Sequence, residues 1–253
     1  EKNNFLDYYA EAKNLSPQAV KEVKDIEGVL DASGRITEDV GADMGDNKRV
    51  TLKMISLPES GSNYINQITI LDGENLDKSN KEECLLNKKF ADFHNISLGD
   101  EISTIIDKKI VKFRIVGIAA SPEYVYTIKS NASAVPSFED YGVIYINEGA
   151  GKSLLGYGEA FNQLHVLFND GVNHDDVIEK IEKALAPYGF VRGTERKDQI
   201  SNMMVMDDVK MLQDAAFIFP ILFLSVAAMI IYVMQKRIIM GQRTLIGVMK
   251  AFG

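Results

Sequence analysis

Residues 215–234 read AAFIFPILFLSVAAMIIYVM, a run of 20 residues without a charge, and two basic residues, Lys236 and Arg237, follow closely. An α-helix rises about 1.5 Å per residue, so a helix of this length spans about 30 Å. That is the thickness of the hydrocarbon core of a bilayer. The run therefore predicts a transmembrane helix, and it holds no charge that would line an ion path.

The segment after this run, residues 235–253, carries basic residues and no acidic one; the basic residues are Lys236, Arg237, Arg243 and Lys250. Basic residues close to a membrane span stay preferentially on the cytoplasmic side. We therefore predict that residues 235–253 are cytoplasmic and that residues 1–214 are extracytoplasmic. The chain would then consist of a large external domain, a helix surrounded by membrane lipid and a short cytoplasmic tail.

The formal net charge of −8 is unevenly distributed. Four of the 28 basic residues lie in the tail, which leaves 24 basic against 36 acidic residues in the rest of the chain. A domain this acidic is not expected to bind nucleic acid. The single cysteine, Cys84, excludes an internal disulfide framework. An external domain without disulfides fits a bacterial membrane protein, so the bacterial cell membrane is the predicted location.

The opening of the chain has no basic n-region and no apolar signal segment. Something upstream is therefore expected to carry the domain across the membrane, and we predict an earlier transmembrane helix. Residues 1–14, EKNNFLDYYAEAKN, are expected to form a stalk with a short helix that rises from that span.

Local patterns predict an α+β fold with two interleaved parts. Ser16 and Pro17 are typical of a helix start, and residues 29–57 have the pattern of a strand hairpin. Short strands and few helices fill residues 83–147, which favours a small β-rich module. A strand–helix–strand pattern then returns at residues 162–193. The return predicts one split α+β domain, completed from both sides of a β-rich insertion.

The chemical motifs in the chain favour structural roles. Gly151-Lys152-Ser153 resembles the end of a phosphate-binding loop, but the required earlier glycine is missing because position 146 is Ile. The histidines and acidic residues lack metal-ligand spacing, and Cys84 has no CxxC partner. We therefore predict that the chain is not an enzyme, and we assign no catalytic residue, cofactor or metal. The residues considered are His94, His165, His174, Asp39, Asp43 and Asp46.

Two tyrosines stand out in the segment SPEYVY, residues 121–126, because a proline interrupts a strand pattern just before them. Tyr124 and Tyr126 are candidate contacts for an external protein or peptide ligand. Packing at a strand edge is the alternative interpretation.

The sharpest local signal is the tail segment RTLIGVMKAFG, residues 243–253. It resembles the segment after the second transmembrane helix in FtsX-like (MacB-type) permeases of ABC transporters, where an Arg, an Ile-Gly pair and a Lys-Ala-hydrophobic-Gly ending recur. Residues 72–126 resemble the external core domain of that family. The matching motifs are Asp72-Gly73, Glu83–Asn87, Leu98-Gly99-Asp100 and Phe113–Ile118.

The resemblance implies a permease subunit whose partners are a cytoplasmic ABC ATPase and a second permease module, as a dimer. It implies that the tail docks on the ATPase as a coupling helix, through Arg243, Ile246, Gly247, Met249, Lys250, Phe252 and Gly253. It also implies a split porter-like α/β subdomain with an inserted β-rich subdomain, followed by a transmembrane α-helix. The expected parts are a stalk (1–14), the porter-like subdomain (15–72 and 160–200), the insertion (73–159), a helix (201–234) that includes the span (215–234), and the coupling segment (235–253).

The tail also has physical features that indicate a binding partner. Apolar residues lie in a segment that water would otherwise surround, and glycines among them allow close packing. The alternative function is a membrane-anchored extracellular sensor or binding module that does not transport, whose tail merely fixes topology. A third interpretation, a tethered external enzyme, has no supporting group of residues.

Overall fold

The computed structural model describes residues 4–45, 48–58, 64–126 and 137–253. Asp46, one of the acidic turn residues considered above, lies outside the described residues. The chain divides into two compact units, Glu1–Met204 and Val205–Gly253. We call them the mixed unit and the helical unit.

The secondary structure is of the mixed α+β class that the sequence predicts. In chain order the strands are β1 (Tyr8–Leu15), β2 (Val29–Arg35), β3 (Thr37–Asp43), β4 (Arg49–Leu57), β5 (Thr69–Gly73), β6 (Glu83–Asn87), β7 (Glu101–Ile106), β8 (Lys109–Ala120), β9 (Tyr141–Asn147), β10 (Phe161–Phe168) and β11 (Phe190–Glu195). The helices are α1 (Pro17–Lys24), α2 (Lys88–His94), α3 (Glu148–Leu154), α4 (His174–Leu185), α5 (Ile200–Gly241) and α6 (Arg243–Ala251).

A four-stranded antiparallel sheet, in the order β11-β1-β10-β2, joins the beginning of the mixed unit to its end. Helices α1 and α4 pack on one face of it around a shared hydrophobic core. The predicted start of α1 is present, because the Ser16 side chain accepts a hydrogen bond from the Ala19 N–H and Pro17 opens the helix. In α4, Asn173 caps the first turn, where Asp175 and Asp176 complement the helix dipole.

The structure corrects the expectation for the opening segment. Residues 8–15 form strand β1 in the centre of this sheet, where a helical stalk was expected. Side chains in β1 alternate between buried and accessible positions, and Tyr8, Ala10 and Ala12 are buried. An alternation of period two is the pattern of a strand with one face on a core. The charged side chains of Glu11 and Lys13, which take the outward positions, concealed this pattern in the sequence.

The remaining strands form a seven-stranded mixed sheet in which six strands close into a ring. The hydrogen-bonded ladders run β3–β4–β9–β6–β8–β7 and return to β3. Strand β5 pairs with the C-terminal part of β8, residues 117–120. Inward-facing apolar side chains from all six strands meet in one core. Closure leaves few exposed edges, which suits a soluble β-rich body.

The boundary between the two sheets also differs from the expectation. The sequence pattern grouped residues 37–72 with the split subdomain, but β3, β4 and β5 pair within the seven-stranded sheet. The sheet boundary lies at Ile36, between β2 and β3. The parallel pairing of β4 with β9 joins residues about 90 positions apart, and a local pattern cannot reveal such a pairing.

The helical unit contains most of α5, a helix of 42 residues with Pro220 inside it, and all of α6. The predicted span, residues 215–234, lies inside α5. This helix is long and apolar enough to cross a membrane. Its most apolar stretch is not buried against any other described part of the chain.

Candidate functional site

The two sheets of the mixed unit meet where the chain passes from β2 to β3 through one residue, Ile36. This side chain is completely buried. Its N–H donates to Ser56 Oγ at 2.8 Å, and its carbonyl accepts from the Ser56 N–H at 2.9 Å. Next to it, the side chain of Asn162 accepts from the Thr37 N–H at 2.9 Å and donates to the Thr37 carbonyl at 2.7 Å. The backbone N–H and carbonyl of Thr37 thus bond from one sheet to the other.

A buried ion pair lies beside this crossing. The guanidinium of Arg35, the final residue of β2, donates two hydrogen bonds to the Glu123 carboxylate, at 2.6 and 2.8 Å. The two side chains are only 10% and 8% exposed. Glu123 lies in a short 3-10 turn, Pro122–Tyr124, that follows β8 and is capped by the Ser121 side chain. Arg35 belongs to the four-stranded sheet and Glu123 follows a strand of the ring, so the pair joins the two sheets. Bidentate geometry makes it a strong and directional contact.

Three further polar side chains complete this group, which we call the junction cluster: Arg35, Glu123, Asn66, Gln163 and His165. Arg35 Nε donates to Gln163 Oε1 at 2.7 Å. Asn66 donates to the Glu123 carboxylate at 2.9 Å, and its own carbonyl oxygen accepts from the Leu6 N–H at 2.8 Å. His165 Nε2 lies 3.1 Å from Gln163 Oε1. Each of the five side chains thus has at least one hydrogen-bond partner, which offsets the cost of removing it from water.

The surroundings within the junction cluster determine the protonation states of Glu123 and His165. Burial alone would raise the pKa of Glu123, but the Arg35 guanidinium and then His165 outweigh it and hold this pKa well below its usual range. Burial, reinforced by the charge of Arg35, lowers the pKa of His165 to about 3. At neutral pH the cluster therefore contains one cation, one anion and a neutral imidazole, whose Nε2–H is positioned to donate to Gln163.

The enclosed space at this site is small. A cavity of about 20 Å³ is lined by residues that include Ser56, Tyr64, Ser121, Tyr145 and His165. It has room for about one water molecule, whereas small-molecule sites enclose roughly 300–1,000 Å³. The junction cluster is therefore built to hold two sheets together, and it offers no space for a substrate.

The two candidate contact tyrosines are both half-buried, in different surroundings. Tyr124 packs against a buried cluster of the ring, and its hydroxyl accepts a long bond of 3.4 Å from Arg35. Tyr126 donates its N–H to Ser201 Oγ at 3.2 Å, and the Lys89 ammonium lies 4.8 Å from its ring. Tyr124 therefore lies at the junction, while the Tyr126 ring lies beside Lys89 of α2.

The proposed coupling residues lie on and just after α6, and all are exposed. Successive residues of a helix are rotated by about 100°, so the spacing sorts them onto two faces. Arg243, Gly247 and Lys250 share one face. Met249 and Phe252 lie on the opposite side, Ile246 lies between the two faces, and Gly253 follows the helix end. At Gly247 a Cβ atom would meet no heavy atom within 4 Å.

The other chemically suggestive residues have ordinary structural surroundings. His94 Nε2 lies 3.0 Å from the Glu139 carbonyl, the His174 ring packs on Phe168 at 4.8 Å, and Lys152 pairs with Glu148 and Glu159. Within the described residues, no group of three or more histidine, cysteine or acidic side chains is placed to hold a metal.

Cys84 is completely buried in the ring core, and burial raises the pKa of its thiol. The thiolate is the nucleophile that attacks a maleimide, so we expect the folded protein to react with this reagent far more slowly than a free cysteine does. Mass spectrometry would check this expectation by comparing labelling in buffer with labelling in denaturant. Rapid labelling of the folded protein would contradict the buried position.

The junction cluster was not predicted from the sequence. The available signals were a charged Arg35 next to an apolar strand position and an acidic residue directly after Pro122. Each is common at a protein surface. Their pairing spans 88 positions, and nothing local in the sequence indicates it.

No protein-family model and no curated protein sequence matches this chain. Solved structures do match it. The periplasmic region of MacB from Actinobacillus actinomycetemcomitans has a TM-score of 0.47 and 11% identity, over 80% of this chain and 91% of that one. The extracellular domain of the noncanonic ABC-type transporter YknZ from Gram-positive bacteria has a TM-score of 0.46 and 14% identity, over 72% and 91%. A domain of a proposed permease from Porphyromonas gingivalis has a TM-score of 0.42 and 16% identity, over 71% of each chain.

Proposed function

We propose that the chain is the external core domain, second transmembrane helix and coupling segment of an ABC transporter permease of the FtsX-like (MacB-type) family. The observation that carries the proposal is the order of features in the helical unit. A helix with an uncharged run of 20 residues is followed by a tail with only basic charges and then by a short amphipathic helix. A mere anchor needs the first two features but has no need of the third.

In this proposal residues 1–214 are extracytoplasmic and residues 235–253 are cytoplasmic. The four-stranded sheet with α1 and α4 is the split porter-like subdomain, and the closed ring is the inserted β-rich subdomain. A cytoplasmic ABC ATPase binds the tail, and a second permease module completes a dimer. Tyr126 remains a candidate contact for an external protein or peptide.

The proposed role of the chain is mechanical. ATP hydrolysis by the partner moves the tail, and α5 carries this movement to the other side of the membrane, where it changes the conformation of the external domain or drives export. Pro220 removes one backbone hydrogen bond within α5 and provides a bending point. The junction cluster supports this role, because buried polar bonds between the two sheets favour their movement as one body. The chain itself hydrolyses nothing in this proposal.

Co-purification from native membranes tests the proposal. We expect the full-length protein to retain an ABC ATPase, and we expect Gly247→Trp to lose it because an indole ring prevents close approach to that face of α6. Val248→Trp is the matched control, since it adds the same group on the other side of the helix. We expect this variant to keep the ATPase.

Each alternative outcome has a distinct meaning. Absence of an ATPase from the wild-type sample would contradict the permease function and favour the membrane-anchored sensor or binding module. Retention of the ATPase by both variants would leave the permease function standing, but it would contradict docking through the Gly247 face.

A further inference from the structure

Helix α6 is amphipathic and has no covering partner within the described part of the chain. Leu245, Val248 and Met249 form an apolar face at helical spacing, and they are 61%, 49% and 67% exposed. Arg243, Gly247 and Lys250 form the opposite face, which we call the basic face. Exposed apolar side chains on one side of a helix indicate a surface that is covered in the working protein.

The position of α6 in the chain limits what can cover this apolar face. The helix begins nine residues after Met234, the end of the uncharged run. Even a continuous helix would carry it only about 14 Å beyond the run. The polar headgroup layer is several ångströms thick on each side of the hydrocarbon core. Tilt of α5 from the bilayer normal shortens this distance, and α6 with its side chains is about 10–12 Å across, so α6 lies within reach of the lipid interface.

The charges of the tail fit the same surface. Residues 235–253 hold four cations and no acidic residue. Anionic lipids of a cytoplasmic leaflet attract such a segment by about 1 kcal/mol per Lys or Arg close to the surface. Long basic side chains can also keep their charged ends in water while their stems lie along an apolar boundary.

The basic face has a feature of its own. A glycine inside a helix costs roughly 1 kcal/mol relative to alanine, and α6 has only nine residues. The absence of a side chain at Gly247 leaves a shallow position in the middle of the basic face. Such a position favours close approach of another protein backbone, whereas a lipid acyl chain requires no such position.

We propose that α6 lies in the cytoplasmic lipid interface, with Leu245, Val248 and Met249 in the boundary of the acyl chains and the basic face turned to the cytoplasm. Met249 then contacts lipid, and Arg243, Gly247 and Lys250 are the residues that contact the ATPase. This inference rests on the proposed crossing of the membrane by α5.

Spin labels on single introduced cysteines would test this arrangement. The full-length protein would be placed in vesicles of phosphatidylcholine with phosphatidylglycerol, without ATPase, and labelled at residue 245, 247, 249 or, as a reference, 230. Native Cys84 is buried and does not compete for the label. We expect oxygen, which concentrates in lipid, to reach the labels at Leu245 and Met249 several-fold more readily than the label at Gly247. A water-soluble nickel complex should show the opposite preference.

Three results would separate the possible failures. Water accessibility at Leu245 and Met249 equal to that at Gly247, with the label at Ile230 in lipid, would overturn the interfacial position and leave the membrane crossing intact. Shielding of Leu245 and Met249 from both reagents would overturn it too, because protein would then cover the apolar face. A water-accessible label at Ile230 would contradict the membrane crossing itself, and hence the proposed function.

The charge of the lipid provides a second measurement. In vesicles of phosphatidylcholine alone, we expect the oxygen accessibility at Met249 to fall, because the attraction of the tail cations is lost. Replacing Arg243 by Gln should cause a smaller fall in the mixed vesicles, because one of the four tail cations is removed. An accessibility at Met249 that changes in neither case would contradict the part assigned to the basic residues.

Discussion

Replacing Glu123 by alanine is expected to lower the free energy of unfolding by about 3–5 kcal/mol, because Arg35 would be left buried without its counter-ion. The two side chains are 10% and 8% exposed, so water cannot replace the missing carboxylate without opening the junction. The loss would also remove the acceptor of the Asn66 amide. Urea unfolding of the full chain in detergent, followed by tyrosine fluorescence, would measure the effect.

A matched control separates the buried pair from ion pairs in general. Glu101 pairs with Lys112 at 3.0 Å, but the side chains are 60% and 63% exposed. Glu101→Ala should therefore cost less than about 1 kcal/mol. Equal effects of the two substitutions would contradict the role assigned to the junction.

The double variant Arg35→Met, Glu123→Leu tests the origin of the loss. Removing both charges avoids the uncompensated cation, so this variant should be more stable than Glu123→Ala. It should still be less stable than the native chain, because Gln163 loses the hydrogen bond from Arg35 and the Asn66 amide loses its acceptor on Glu123. A double variant as unstable as the single one would indicate that packing, rather than charge, dominates the site.

The sequence predicted those features that depend on short-range patterns. The uncharged run at residues 215–234, the start of α1 at Ser16-Pro17 and the helix of the strand–helix–strand pattern at residues 162–193 each depend on neighbouring residues, and the structure contains all three. The class of fold followed from the same local patterns. Helix propensity, caps and turns act over a few residues, which is why they can be recognised one segment at a time.

The features that were missed depend on contacts across long separations. Strand β1 was mistaken for a stalk because its partners, β10 and β11, lie more than 140 residues further along the chain. The division of strands between the two sheets depends on the pairing of β4 with β9. The Arg35–Glu123 pair joins side chains from the two sheets, so it could be recognised only after the topology was known.

Acidification is expected to destabilise the mixed unit through His165 before any buried carboxylate is protonated. Burial, together with Arg35, holds the pKa of this histidine at about 3 in the folded protein, against 6.5 for an ordinary histidine. Between these values the unfolded chain binds a proton that the folded chain excludes. Stability is therefore complete above pH 6.5 and falls as the pH decreases, by about 1.4 kcal/mol per pH unit.

The groups that face His165 explain why it cannot simply gain a proton in place. Arg35 repels the imidazolium, and Glu123, which attracts it, is already engaged by two bonds from Arg35. The Tyr9 ring, at 6.4 Å, supplies no counter-charge. Protonation therefore requires the junction to open.

Urea unfolding at a series of pH values would measure this dependence. From pH 6.5 to about 5, we expect the native chain to lose about 2 kcal/mol more than the variant His165→Gln, which cannot take up the proton. The variant His174→Gln alters an exposed histidine and should keep the native slope. Glu123 contributes a further loss of stability only at lower pH. Its pKa in the folded protein lies below the ordinary value of 4.5, so its stabilisation is present above pH 4.5 and is lost as the pH falls below that value. Parallel pH profiles for the native chain and His165→Gln above pH 5 would show that His165 accepts a proton without opening the junction, and would contradict its assigned neutral state.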